Sequence, residues 1–214
     1  DRSSVATTAY GFSNDATGYD NLGAASTILP SSSSHYISTL QSWIGRVNYS
    51  FASRYNASVT LRADGSSRFA KNNRWGFFPS VGLSWNVDKE RWFDIEDKID
   101  FLQIRASVGS VGNQEIGDYK FASNIEPRTV IINGKQATSY IIANMSNPDL
   151  KWETTTSYNV GFNAGLLKNR LTLTVDFYSK KTSDLLLDVP VEQVTGFSTV
   201  LRNVGEVTNK GFEI

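Results

Sequence analysis

Between Lys151 and Phe177 the side chains alternate, apolar and polar, with a period of two residues. No other feature restricts the folding of this chain so tightly. Trp152, Thr154, Thr156, Tyr158, Val160, Phe162, Ala164 and Leu166 share one face. Glu153, Thr155, Ser157, Asn159, Gly161, Asn163 and Gly165 share the other. After the break Leu167-Lys168-Asn169 the pattern resumes, with Leu171, Leu173, Val175 and Phe177 against Arg170, Thr172, Thr174 and Asp176. Successive side chains of a strand point to opposite faces, so this is a hairpin with one apolar and one polar face. Strands of soluble proteins average about 5–6 residues, whereas a tilted membrane strand needs about 9–11. The length favours the wall of a transmembrane β-barrel. It places Val175 toward lipid and Thr174 toward a wet lumen.

The same pattern recurs along the chain. Val47, Tyr49 and Phe51 oppose Arg46, Asn48 and Ser50 in a strand from about Trp43 to Phe51. After a tight Ala52-Ser53-Arg54 turn, a second strand runs from Tyr55 to Asp64. In a third, Trp75, Phe77, Pro79, Val81, Leu83, Trp85 and Val87 share a face. Its two tryptophans lie about 33 Å apart along a strand, or roughly 23–25 Å across a bilayer at a tilt near 45°, close to the spacing of two aromatic girdles. Pro79 withdraws a ladder donor, which predicts a bulge or a gap there. A charged connection, 88–100, leads to a fourth strand at 102–108, followed by an irregular polar stretch, 110–150, with short β-like pieces at 119–123 and 129–132. Beyond the hairpin, which can extend through Leu185-Leu186-Leu187, a last strand starts near Val200. The expected architecture is all-β: about seven long strands of a large antiparallel transmembrane barrel over 42–214, preceded by a polar extracellular loop over 1–41. The tight breaks at 52–54 and 167–169 then fall on one side, and the long segments 65–74, 110–150 and 181–199 on the other, as in outer-membrane barrels, although the connection 88–100 lies on the short-turn side and is long.

Composition removes several classes. The 21 basic and 21 acidic residues balance, giving no electrostatic case for nucleic acid. With no cysteine, disulfides and thiolate chemistry are excluded. No run of about 18 apolar residues provides a helical membrane span. No signal peptide opens the chain and Gly211-Phe212-Glu213-Ile214 stop in mid-alternation, so the barrel reading expects a piece of a longer protein.

Nothing reads as a catalytic, metal or cofactor site, and the ligand-binding residues stay unassigned. The single histidine, His35, sits in a serine-rich stretch and reads as solvated. Gly109-Ser110-Val111-Gly112 lacks the third glycine and the helix of a phosphate loop. Asp64, Glu153 and Asp176 could be posed as a glycosidase pair, but the alternation around them makes them lumen-lining residues. Asn48, Asn56 and Asn144 fit an N-x-Ser/Thr pattern that carries no weight in a bacterial outer membrane. Tyr10, Tyr19, Tyr36 and Trp152 could stack on sugars, although an aromatic girdle accounts for Trp152.

Four stretches carry a more specific signal: RYNASVTLRADGSSRFAKNNRWGFFPSVGLSWNV (54–87), LQIRASVGSVGNQEIGDY (102–119), NPDLKWETTTSYNVGFNAGLLKNRLTLTVDFY (147–178) and NVGEVTNKGFEI (203–214). In order and spacing they resemble the C-terminal barrel portion of SusC/RagA-type TonB-dependent outer-membrane transporters. The resemblance implies a 22-stranded barrel with an N-terminal plug. It also implies a SusD-like surface lipoprotein, the TonB complex acting through parts absent here, outer-membrane lipid around the wall, and oligosaccharide or peptide cargo. It admits a dimer of transporter–lipoprotein pairs. The alternative from the residues alone is a soluble β-sandwich binding or adhesion module, whose core face would alternate in the same way. A passive porin is a third reading, separated by whether the parent chain carries a plug.

Overall fold

A computed structural model describes residues 2–13, 20–29, 31–93 and 99–214. The chain divides into two compact units, 1–38 and 39–214.

The first unit, in the stretch expected as a polar loop, holds two short antiparallel strand pairs. β1 (Arg2–Ala6) pairs antiparallel with β4 (Ser32–Tyr36), and β2 (Ala9–Phe12) pairs with β3 (Ala25–Ile28). These strands escape a sequence reading because each is only four or five residues long, too short for an apolar period to show. His35 stands opposite Ser3 in this ladder and is exposed. Tyr19 lies outside the described residues.

The second unit is a seven-stranded antiparallel sheet. Its strands are β5 (Leu40–Phe51), β6 (Tyr55–Ser66), β7 (Trp75–Asn86), β8 (Ile99–Asn113), β11 (Glu153–Leu166), β12 (Leu171–Ser183) and β15 (Glu206–Glu213). Each pairs with its neighbour in chain order, giving β15-β12-β11-β8-β7-β6-β5. Two hairpins interrupt the meander: β9 (Ile125–Ile132) with β10 (Lys135–Ile142), and β13 (Leu186–Pro190) with β14 (Thr199–Asn203).

Several boundaries move from their expected places. β8 continues to Asn113: Ser110 and Gly112, which follow Val108 on the outward face and end its apolar run, keep their partners Thr156 and Thr154 on β11. The piece at 119–123 is a turn, and the strand lies further on as β9. Val200 belongs to the short hairpin. The seventh long strand begins only at Glu206, after Gly205 takes a left-handed φ of 78°. The tight breaks are where they were expected: Ala52 and Ser53 adopt φ of 52° and 56°, and Leu167, Lys168 and Asn169 adopt 58°, 58° and 57°.

Pro79 marks a gap. It stands opposite Leu61 of β6 without a bulge, but the ladder from β7 to β8 starts only at Ser80↔Gly109. The Pro79 carbonyl accepts a long 3.5 Å bond from the Ser110 hydroxyl, so it faces the side where pairing stops.

The apolar face crosses the ladder at a slant. Phe51, Tyr55, Trp85, Ile104, Phe162 and Val175 lie at one level. That level is the foot of β5 but lies four residues above Leu171, where the apolar run of β12 begins. Two levels higher, in line with Val47, Val59, Val81, Val108 and Tyr158, β12 already carries Ser179, whereas β5 stays apolar as far as Trp43. The band thus climbs by about one residue per strand. With a rise of about 3.3 Å and a spacing of about 4.8 Å, this corresponds to a strand tilt near 35°. A membrane barrel requires such a tilt. Trp43, Val47, Leu61, Phe77, Val160 and Phe177 on this face are all largely exposed. A soluble sandwich would need a second layer over them, and none of the described residues forms one.

Candidate functional site

The polar face forms a trough. At the level just below the middle of the sheet, Ser50, Asn56, Ser84, Arg105, Gly161, Asp176 and Glu213 stand side by side across all seven strands. One level up run Asn48, Ser58, Gly82, Ser107, Asn159 and Tyr178. Side chains from both levels line one concavity of about 680 Å³, so the sheet curls toward its polar side. Nearer the tight turns, Gln103 donates to Asn86 (2.9 Å) and Asn163 donates to Gln103 (3.2 Å). The lining is therefore amides and hydroxyls with four charged residues, Arg105, Asp176, Lys180 and Glu213, suited to passing hydrogen bonds from one group to the next.

Gly161 shapes the centre of the trough. Arg105 on β8 forms an ion pair with Asp176 on β12, spanning the intervening strand β11 directly above Gly161. A Cβ at position 161 would lie 2.3 Å from an Asp176 carboxylate oxygen and 2.5 Å from the Val175 carbonyl. Only glycine leaves room for the bridge. The pair is partly open to solvent, so its contribution is one of shape and charge placement more than of stability.

Above the trough the long connections are packed together. Phe69, Phe78, Ile116, Leu150 and Trp152 form one buried cluster, with Phe121, Leu186 and Leu201 against it; Phe69 and Leu150 are 0% exposed. Phe78 sits at a polar-face position of β7, and its ring occupies the space left by Gly112, whose Cβ would approach it to 2.0 Å. Trp152 is not a girdle residue. It precedes β11, packs on Phe69 and Phe78 at ring distances of 5.3 and 5.5 Å, and donates its indole N–H to the Arg74 carbonyl at 3.0 Å. A buried tryptophan needs a partner for its N–H, and the Arg74 carbonyl supplies it here.

Asparagines stitch the same connections. Asn203 accepts from the Lys151 N–H (2.9 Å) and donates to the carbonyls of Lys151 (2.8 Å) and Asp184 (2.9 Å). Asn147 donates to the Leu201 carbonyl (2.8 Å), and Asn144 donates to Ala122 and accepts from the Asn124 N–H. These amides do for irregular backbone what a ladder does for strands. The stretch Asn147-Pro148-Asp149-Leu150-Lys151-Trp152-Glu153 is thus structural, tying three connections to the wall. Its value was hidden in the sequence, where only Phe78, an aromatic among polar positions, hinted at a second apolar cluster.

The acids singled out from sequence do not converge. Asp64 is buried against Arg62 (2.9 Å), Glu153 accepts from Asn113 and from the Leu186 N–H (both 3.2 Å), and Asp176 holds Arg105. Asn48 and Asn56 line the trough. Val175 lies on the apolar face as expected, yet only 9% of it is exposed, so Val160, at 55%, is the better lipid-facing position.

At the tight-turn end, Glu90 is nearly buried and accepts three bonds, from Arg54 Nη1 (2.8 Å), the Tyr55 hydroxyl (2.6 Å) and the Trp85 indole (3.1 Å). The Tyr55 hydrogen bond leads in holding its carboxyl below the ordinary value, with Trp85 and Arg54 adding to it against the cost of burial.

The family described as TonB dependent receptor-like, beta-barrel matches residues 2–214. The chain is 37% identical to a TonB-dependent receptor of Formosa agariphila over 212 residues, covering 98% of this chain and 21% of that protein. It is 39% identical to the TonB-dependent receptor SusC of Bacteroides thetaiotaomicron over 183 residues, covering 82% and 18%. Among solved structures, the RagAB peptide importer in its 'closed-closed' state superposes with a TM-score of 0.77 at 32% identity, covering 89% of this chain and 20% of that one. The siderophore receptor PirA from Pseudomonas aeruginosa, at 14% identity and a TM-score of 0.53, shares the fold. The chain spans about a fifth of the length of the curated relatives it matches. Its tilted wall, polar trough and exposed apolar band are those of an outer-membrane barrel, and the chain belongs to the TonB-dependent receptor β-barrel family, SusC/RagA type, a family of receptors and transporters.

Proposed function

We propose that the protein containing this chain imports an oligosaccharide or a peptide across the outer membrane, driven by the TonB complex and served by a SusD-like lipoprotein. The observation that carries this reading is the pairing of a polar trough with a rim packed into a single apolar cluster. Cargo needs a wet, hydrogen-bonding path through the bilayer and an entrance that keeps its shape. Amide and hydroxyl rows suit sugars and peptide bonds equally, which is why both cargo classes stand.

On this reading the tight turns at 52–54 and 167–169 face the periplasm, and the segments 67–74, 114–150 and 184–205 face outward. The β9–β10 hairpin supports a partner at the rim. Ile125, Ile131, Tyr140 and Ile142 stand exposed on it, and among the described residues no further strand pairs with its outer edges. The chain also superposes about equally on RagAB in 'closed-closed' and 'open-open' states, with TM-scores of 0.77 and 0.75. That favours a fixed wall and rim, with opening carried by other parts.

The test is uptake by cells lacking the intact gene, complemented with the full-length protein and offered labelled peptide and oligosaccharide mixtures. Recovery of one cargo class, lost again when the TonB complex is de-energised, is expected. Equal uptake without the gene overturns the proposal. Biotinylation of intact cells should reach cysteines placed at 67–74 or 114–150 and spare those at 52–54 and 167–169, and the reverse pattern inverts the topology.

A further inference from the structure

The apolar face carries a depression near the tight-turn end of the sheet, and we propose that it holds an acyl chain of a phospholipid from the adjacent leaflet. The depression follows from residue size. Along one outward level run Phe51, Tyr55, Trp85 and Ile104, all large. The next level reads Tyr49, Ala57, Leu83 and Ala106, so two methyl-sized side chains lie between bulky neighbours. The level beyond returns to valines at 47, 59, 81 and 108. The result is a furrow of about 360 Å³ with almost no polar surface, lined by the rings of Tyr49, Tyr55 and Trp85 and floored by the alanines. At roughly 30 Å³ for a group the size of a water molecule or a methylene, it has room for about a dozen such groups.

Its lower wall is pre-formed. The Tyr55 and Trp85 rings lie stacked, with centroids 6.4 Å apart and planes 14° off parallel. Glu90 holds the polar end of each, at 2.6 and 3.1 Å, so both rings turn their apolar surfaces along the furrow. Trp92 packs edge-on against Trp85 at 6.3 Å, and Arg54 lies over the Tyr55 ring at 5.7 Å. Amphipathic rings with a cation beside them mark the level at which headgroups meet water. The furrow therefore starts at the headgroup level and runs into the hydrocarbon.

The occupant follows from the surroundings. The furrow is continuous with the lipid-facing band, and acyl chains are what that band meets on every other strand. Rings fixed before binding spare the ordering cost that a mobile wall would impose. The inference rests on the outer-membrane placement of the wall and is independent of any cargo, so a failed uptake assay leaves it standing.

The test uses the full-length protein in nanodiscs of phosphatidylethanolamine and phosphatidylglycerol doped with a phosphatidylethanolamine bearing a diazirine on its acyl chain. After illumination, peptide mapping should find adducts at Tyr49 and Leu83 several-fold above those at Val160 and Phe177, which are similarly exposed on the same face. Ala57→Leu with Ala106→Leu, which fills the furrow from the lipid side, should bring labelling down to the Val160 level while gel migration before and after heating stays that of the wild type. If the double variant fails to assemble, Ala57→Val alone provides the same comparison. Even labelling across the face, or enrichment unchanged by filling, overturns the proposal. So does efficient disulfide formation between two copies of a Leu83→Cys variant, which would assign the furrow to a second copy of the protein.

Discussion

Gly161 offers the sharpest test of the trough geometry. In Gly161→Ala the new methyl would lie 2.3 Å from an Asp176 oxygen and 2.5 Å from the Val175 carbonyl, inside the distance that Cβ atoms tolerate. The carboxylate can rotate away, but the carbonyl belongs to the β11–β12 ladder and cannot. Overpacking of this kind costs about 1–3 kcal/mol. Displacing Asp176 also breaks its bond to Arg105, but with both partners partly solvated this adds at most about 1 kcal/mol. We expect Gly161→Ala to lose about 2 kcal/mol, read as a lower temperature for the shift from folded to unfolded migration on a gel. The cycle with Asp176→Ala separates the terms: the double variant should recover about 1 kcal/mol relative to the sum of the singles, because the carboxylate collision is gone while the carbonyl contact remains. Wild-type heat resistance in Gly161→Ala, or strict additivity in the cycle, would refute the claim that this glycine clears the path of the Arg105–Asp176 bridge.

Three further outcomes are expected. Val160→Arg, on the lipid face, should cost about 2–4 kcal/mol of assembly, whereas Asn159→Arg, one residue away in the trough, should assemble normally and alter uptake alone; membrane insertion of the two variants compares them directly. Asn203→Ala removes three hydrogen bonds at once, two of them to the exposed Lys151 backbone, where water can take over, a loss of about 1–2 kcal/mol confined to the rim; limited proteolysis should open 184–205 while the barrel migrates intact. Because the carboxyl of Glu90 is held below its ordinary value, its stabilising effect is complete above that value and is lost as pH falls through the lowered one; heat resistance should fall in strong acid for the wild type and less for Glu90→Gln.

The wall was readable from sequence because period-two alternation has a single physical cause, a surface with lipid on one side and water on the other. Even there the ends were misjudged. β8 outlasts its apolar period, and β15 starts later than Val200, since polar ladders leave no periodic trace. The rim was not readable. Phe69, Ile116 and Leu150 are scattered apolar residues in polar segments, and nothing local shows that they meet. Trp152 was misassigned for a related reason: it fits the alternation of the strand it precedes, and only the position of Phe78 discloses that it turns inward. The trough itself was foreseen as a polar face. Its central ion pair was not, because Arg105 and Asp176 are brought together by register across an intervening strand.

The buried cluster at the rim also fixes where this protein can be cut and rejoined. Phe78 and Trp152 belong to the wall and its immediate edge, whereas Ile116 and Leu150 lie at the two ends of the excursion that carries the β9–β10 hairpin. A relative's outer segment transplanted between Ile116 and Leu150 inherits its anchors from the host. A segment swapped at wider points must bring matching anchors of its own, or the rim loses its shared interior. Recombination of entrance sequences among such proteins is therefore expected to join inside these two residues, with the wall beneath left untouched.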